Sequence, residues 1–204
     1  MARQKSEQHD TQRKLMLDNA ADAFAELGFP GASMLHIAAR CGVSKSLLYH
    51  YYTSKEQLLF DLLEEYMQRL VALTERAAPK SPQARFEVLV RNFMQEYETS
   101  RQRHRVLLND LKYLSARERN KIIGYERQVV AAFAAVIGDV LGLPTNANLA
   151  KPLTMALFGM MNWTFTWLKP DKGLSYQQFA ELLLALFSSG SKQAVKRARA
   201  LKMA

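Results

Sequence analysis

Residues 33–55, SMLHIAARCGVSKSLLYHYYTSK, concentrate side chains able to meet an anionic polymer. Lys45 brings an ammonium, Ser44 and Ser46 hydroxyls and His50 an imidazole, while Tyr49, Tyr51 and Tyr52 place three phenols within four residues. Such groups suit phosphates, sugars and, by apolar contact, thymine methyls. On a plain helical hairpin, the alternative this spacing allows, the same crowd would be awkwardly exposed. Catalytic chemistry is not signalled: the chain has no HExxH, P-loop, GxSxG or GxGxxG pattern. The four histidines, at 9, 36, 50 and 104, are scattered and give no metal-ligand spacing. The single cysteine, Cys41, excludes a disulfide framework and a multi-cysteine zinc site. It reads as a small buried residue, not a nucleophile. No enzyme activity, cofactor or metal is expected.

Holding those side chains in place requires two short helices and a tight turn. Ser33 is a good N-cap, Ile37 and Ala38 supply an apolar face, and Gly42 stands where a sharp turn favours positive φ. Val43 plugs the gap between the helices. Ser44 caps the second helix, which carries Lys45, Ser46, Leu47, Tyr49, His50 and Tyr51 around an anchoring Leu48. This is a helix-turn-helix, whose second helix fits a major groove about 12 Å wide. Leu17, Ala20, Ala21, Phe24 and Leu27 predict a preceding helix that ends at Gly28. Ser54 with Gln57 fits a capping box opening a long helix to about Arg76, with Leu58, Leu59, Leu62, Leu63, Tyr66 and Leu70 at helical spacing. Further helices are expected at about 82–100, 104–113, 116–141, 146–168 and 175–200. No segment alternates with period 2 and no hairpin turn occurs, so the fold is all-α.

The segments LDNAADAFAELGF and IAARCGVSKSLLYHYYTSKEQLL resemble the TetR family of transcriptional regulators over about residues 11–60. The resemblance implies an N-terminal three-helix helix-turn-helix head, joined by a long helix to a helical effector-binding body that dimerises through its last two helices. The expected boundaries are a disordered arm over 1–10, the DNA-binding head over 11–55, the body over 56–200 and a tail over 201–204. It implies backbone contacts at Ser33 and Met34, base-facing positions at Ser44, Lys45, Ser46 and Leu47, and phosphate contacts at Tyr49 and Lys55. His50 and Tyr51 lie on the same surface. Ser46 replaces the commoner glycine and Leu47 a commoner small or polar residue. Leu47 therefore either touches a thymine methyl or belongs to the core.

In the body, Phe93, Tyr97, Leu108, Leu111, Tyr125, Phe158, Met161, Asn162, Phe165 and Trp167 are candidate linings of a largely apolar ligand pocket, or plain core. The segment FGMMNWTFTWLKP, residues 158–170, resembles a stretch in TetR members that respond to acyl-CoA thioesters. Trp163 and Trp167, four apart, are expected on one helix face, lining either the pocket or a dimer seam. The implied partners are double-stranded operator DNA, a small hydrophobic effector such as a CoA thioester, and a second copy of the chain.

The chain has 204 residues and a formal net charge of +9, unevenly placed. Residues 1–60 hold seven basic and six acidic residues, whereas 101–127 hold eight and three, and 192–204 five and none. Arg101 and Arg103, with Arg105, form a cluster suited to nucleotide phosphates, to DNA or to solvent. The polar N-terminus is not a secretory signal. The uncharged run Leu153–Leu168 is too short for a membrane span and reads as a buried helix. A cytoplasmic protein with no membrane partner is expected. Two other readings of the chain are a ligand-independent nucleoid-associated factor and a helical adaptor using the basic tail Lys192–Lys202 at a membrane surface.

Overall fold

The computed structural model describes residues 2–76, 81–144 and 148–200. Among these, ten α-helices and two short 3-10 turns occur and no strand. In chain order the helices are α1 (Ala2–Gly31), α2 (Met34–Arg40), α3 (Lys45–Tyr51), α4 (Lys55–Glu75), α5 (Pro82–Thr99), α6 (Arg101–Asp110), α7 (Ala116–Leu141), α8 (Ala150–Asn162), α9 (Thr164–Trp167) and α10 (Tyr176–Ala200). The tail 201–204 and the expected helix start at 146 lie outside the described residues.

The chain divides into two compact units. The first holds residues up to 68 together with 100–123, and the second holds 69–99 together with 124 onward. This moves the boundary expected between residues 55 and 56. The reason is α6, which packs against α1 inside the first unit. There the buried Arg103 guanidinium donates to Asp18 at 2.5 Å, and the Tyr66 hydroxyl lies 3.1 Å from Nδ1 of buried His104. Helix α1 runs from Ala2, through most of the segment 1–10 that was expected as an arm.

Local chemistry sets the ends of the first unit's helices. At Gly28, φ 68° and ψ 161° interrupt the helical geometry of α1, where the sequence predicted a stop. Met16, Leu17, Ala20, Ala21 and Phe24 are buried, but Leu27 is 48% exposed and leaves the expected apolar face. The Ser33 hydroxyl accepts from His36 N–H, and the Ser44 hydroxyl from Leu47 N–H, each at 3.1 Å. Gly42 has φ 65°, a left-handed conformation that glycine adopts without strain. Leu48 is fully buried, as are Leu58, Leu59, Leu62, Leu63 and Tyr66 of α4. The capping box forms only in half. Ser54 accepts from Gln57 N–H, but the Gln57 side chain accepts from Thr53 N–H and its hydroxyl, one residue earlier than the motif predicts.

In the second unit, α5 packs against α10, and α8 also touches α10. Phe86 of α5 meets Phe187 of α10 at 5.4 Å between ring centres, and Arg91 forms a two-point ion pair with Glu181. The predicted single helix over 146–168 is broken at Trp163, and the run Leu153–Leu168 is only partly buried. Thr164 and Thr166 donate their hydroxyls to the carbonyls of Met161 and Trp163, each at 2.7 Å. Such back-bonding competes with the helical ladder and bends or ends it. Trp163 and Trp167 consequently do not share one regular helix face.

Candidate nucleic-acid interface

Helix α3 is seven residues long and buries one of them, Leu48. Of the others, Lys45, Ser46, Leu47, Tyr49 and His50 are exposed and Tyr51 is half-buried. Leu47 is 38% exposed, which removes it from the core and leaves its apolar end available to a groove. The Lys45 ammonium lies 5.6 Å from the centre of the Tyr49 ring, a cation–π pair that ties the two side chains together. Tyr52 departs from the exposed cluster. It is buried, and burial pushes its phenol well above the usual tyrosine range. The three tyrosines thus divide into two on the surface of α3 and one in the core.

An open groove of about 470 Å³ is lined by Ser33, Met34, Leu35, Lys45, Tyr49, Thr53, Ser54, Lys55 and Glu56. Five of the ten residues expected to meet DNA, Ser33, Met34, Lys45, Tyr49 and Lys55, line this groove, and the other five lie on α3 or at its N-cap Ser44. Met34 has its side chain buried, so what it offers is main chain. Ser33 and Ser44 spend their hydroxyl acceptors on the helix starts, which orients α2 and α3. Lys55 differs most from expectation. Its ammonium donates to the carbonyls of Phe29 at 2.7 Å and Ala32 at 2.9 Å, and lies 4.3 Å from the centre of the Phe29 ring. Two of its three N–H bonds are therefore committed to the end of α1. Cys41 is buried, and burial raises its thiol against the smaller pull of Arg40, as befits an unreactive packing residue.

Sequence reasoning passed over His9. Its ring stacks on Tyr51 at 4.7 Å and 23°, and Tyr51 meets His50 edge-on at 5.9 Å. No sequence signal pointed to it, because the first ten residues are polar without an apolar period.

The residues expected to line an effector site are distributed over both units. Arg101, Arg103, Leu108 and Leu111 belong to the first unit, and the rest to the second. The Arg103 guanidinium, expected at ligand phosphates, is buried and paired with Asp18, with Glu65 at 4.0 Å. Arg101 is half-buried, Leu108 exposed and Leu111 half-buried in a 3-10 turn. In the second unit, Phe93, Phe133 and Phe158 form a layer, Phe133 lying 4.8 Å from each of the other two. One helical turn further along α5 and α8, the buried Tyr97 hydroxyl donates to the Asn162 side-chain carbonyl at 2.8 Å. Glu126 of α7 stands near this pair. Burial raises its carboxyl above the usual range and, with the Glu126 charge as a lesser cause, raises the Tyr97 phenol too. Met161 is buried, Tyr125 half-buried, and Phe165 half-buried with its ring 6.2 Å from that of Trp163. Trp167 is 49% and Trp163 64% exposed, so neither closes an apolar core.

A capped helix-turn-helix with an exposed second helix, followed by a helical body, defines the class of DNA-binding transcriptional regulators rather than enzymes. The chain belongs to the TetR family. Residues 16–62 match the model described as bacterial regulatory proteins, tetR family, and 79–191 that of the tetracyclin repressor-like C-terminal domain. The structure is similar to a TetR-family transcriptional regulator from Bordetella parapertussis 12822, at 35% identity and a TM-score of 0.81 over 86% of this chain and 93% of that one. The sequence is 28% identical to the transcriptional repressor KstR2 of Rhodococcus jostii over 52% of this chain and 53% of that protein. The shared stretch thus spans about half of KstR2, and about a third of other curated relatives. FadR from Bacillus subtilis, solved in complex with stearoyl-CoA, shares the fold at 18% identity and a TM-score of 0.69 over 87% of this chain and 98% of that one. Among the described residues, no helix is long and apolar enough to cross a membrane.

Proposed function

We propose that this protein is a homodimeric transcriptional repressor that holds a pseudo-palindromic operator and releases it on binding a hydrophobic effector, an acyl- or aryl-CoA thioester being the first candidate. The observation that carries the DNA reading is α3 itself: Lys45, Ser46, Leu47, Tyr49 and His50 stand exposed around a buried Leu48. A helix with one anchor and so many outward polar and aromatic groups suits a major groove. Two copies, set about 34–36 Å apart, would read successive grooves.

A second copy is supported by apolar surface on α8 and α10. Met155, Met160, Leu182 and Leu186 are all exposed, Leu186 at 57%. Support for the effector comes from the phenylalanine layer beside Tyr97 and Asn162, which suits an apolar body carrying one hydrogen-bonding group. The acyl-CoA choice rests on the segment at 158–170 and on FadR, a protein of the same fold solved with stearoyl-CoA. Effector and operator then oppose each other by linkage: each weakens the other's binding by one common factor.

Selection of bound duplexes from a random pool tests the DNA reading. Lys45→Ala and Tyr49→Ala are expected to weaken binding of the selected operator about tenfold or more, and Lys45→Ala to flatten its salt dependence by about one ion. Unchanged affinity in both variants would remove α3 as the reading helix. For the effector, CoA thioesters are expected to change tryptophan fluorescence and release the operator. Release by free acids but not by thioesters would overturn the thioester assignment.

A further inference from the structure

Helix α1 begins at Ala2, whereas the family's sequence model begins to match at residue 16, so nearly four helical turns precede the shared head. That extension is fixed at two points one turn apart. Arg13 pairs with Asp61 and Glu65 of α4, both at 3.2 Å. His9, four residues earlier and so on the same face of α1, lays its ring on Tyr51 of α3. Tyr51 in turn carries His50 at its edge. The result is a short ladder of rings, His9, Tyr51 and His50, that starts on the extension and ends on the DNA-reading helix.

The outer rung is unspent. His9 is exposed and makes no hydrogen bond among the described residues, and its Nδ1 lies 3.7 Å from the Asp10 carboxylate. In the neutral imidazole one ring nitrogen is always a donor, and in the cation both are. Stacking fixes the plane of the ring at little entropic cost, since the platform is itself half-buried. A fixed, solvent-facing N–H beside the end of a helix in the major groove is placed to meet the sugar-phosphate backbone bordering that groove.

We propose that His9 is a second, sequence-independent operator contact: stacked on Tyr51, it donates a ring N–H to a backbone phosphate flanking the groove that α3 enters. The proposal rests on the operator reading above. It adds to that reading an element outside the common head, so that the extension contributes affinity and α3 contributes sequence.

Five proteins compared on the selected operator and on unrelated duplex test it: wild type, His9→Ala, His9→Phe, Tyr51→Ala, and His9→Phe combined with Tyr51→Ala. His9→Phe keeps a stacking ring and loses the donor. Both His9 variants are expected to bind about three- to tenfold more weakly, by the same factor on both duplexes, with unchanged thermal midpoints. In the Tyr51→Ala background, His9→Phe is expected to have no further effect. Wild-type affinity in His9→Phe, with or without a loss in His9→Ala, overturns the contact, and so does a full additional loss once Tyr51 is gone. Failure of the wild-type protein to bind any duplex would instead sink the regulator reading, so the two failures are distinct.

Discussion

Lys55 shows how far a residue's role can differ from the one its position in a motif implies. The motif offers it to a phosphate, and the structure spends two of its N–H bonds on carbonyls 26 and 23 residues away. Nothing in the local sequence announces those acceptors, which face it only because Gly28 turns the end of α1. Glu126 is a second case. It reads as a surface charge on a long helix, yet it is half-buried near Tyr97 with no hydrogen bond or ion pair among the described residues. Its raised carboxyl has a consequence of definite sign. The folded chain holds the proton more tightly than the unfolded chain, so stability falls as pH rises between the ordinary and the raised value. Glu126→Gln is therefore expected to raise the thermal midpoint at pH 7.5, with a gain that shrinks as pH is lowered toward 4.5. Equal gains at both pH values would show that burial does not penalise the charge.

At the scale of elements, legibility follows the range of the interaction. The starts of α2 and α3 were readable because each is a serine bonding an N–H three residues on. The bounds of α7 and α10 were readable from periodic runs set between glycine- and proline-bearing breaks, and fall within a residue of expectation. The membership of α6 was not, since the bond that binds it to α1 joins residues 85 apart. The break at Trp163 was legible in principle, as two threonines stand where their hydroxyls can bond back, but uncharged apolar sequence around them reads as one helix. The cap of α3 makes a prediction at this scale. Ser44→Ala should cost about 1 kcal/mol, measured by urea unfolding. It should also weaken operator binding although its oxygen is turned toward Leu47 N–H, because a frayed first turn displaces Lys45 and Ser46. Loss of stability with full DNA affinity would mean that α3 is ordered by the groove itself.

At the scale of the whole molecule, the outward leucines of α10 are the test of assembly. Leu186→Glu places a charge on that face and is expected to shift the protein from dimer to monomer in sedimentation, with unchanged helical content and weakened operator binding. A dimer that survives the change would place the seam elsewhere. The division into units also reassigns the charge. Up to residue 68 the first unit carries nine acidic against seven basic residues, a net −2, and 100–123 contribute seven basic against two acidic, a net +5. The unit that carries α3 is therefore +3 once residues 100–123 are counted with it, instead of slightly acidic. A favourable field of this kind acts before contact, by drawing two molecules together through solvent. Residues 100–123 are thus expected to speed the finding of DNA, through charges that need never touch it. Salt should slow that capture even where the bound state is left alone.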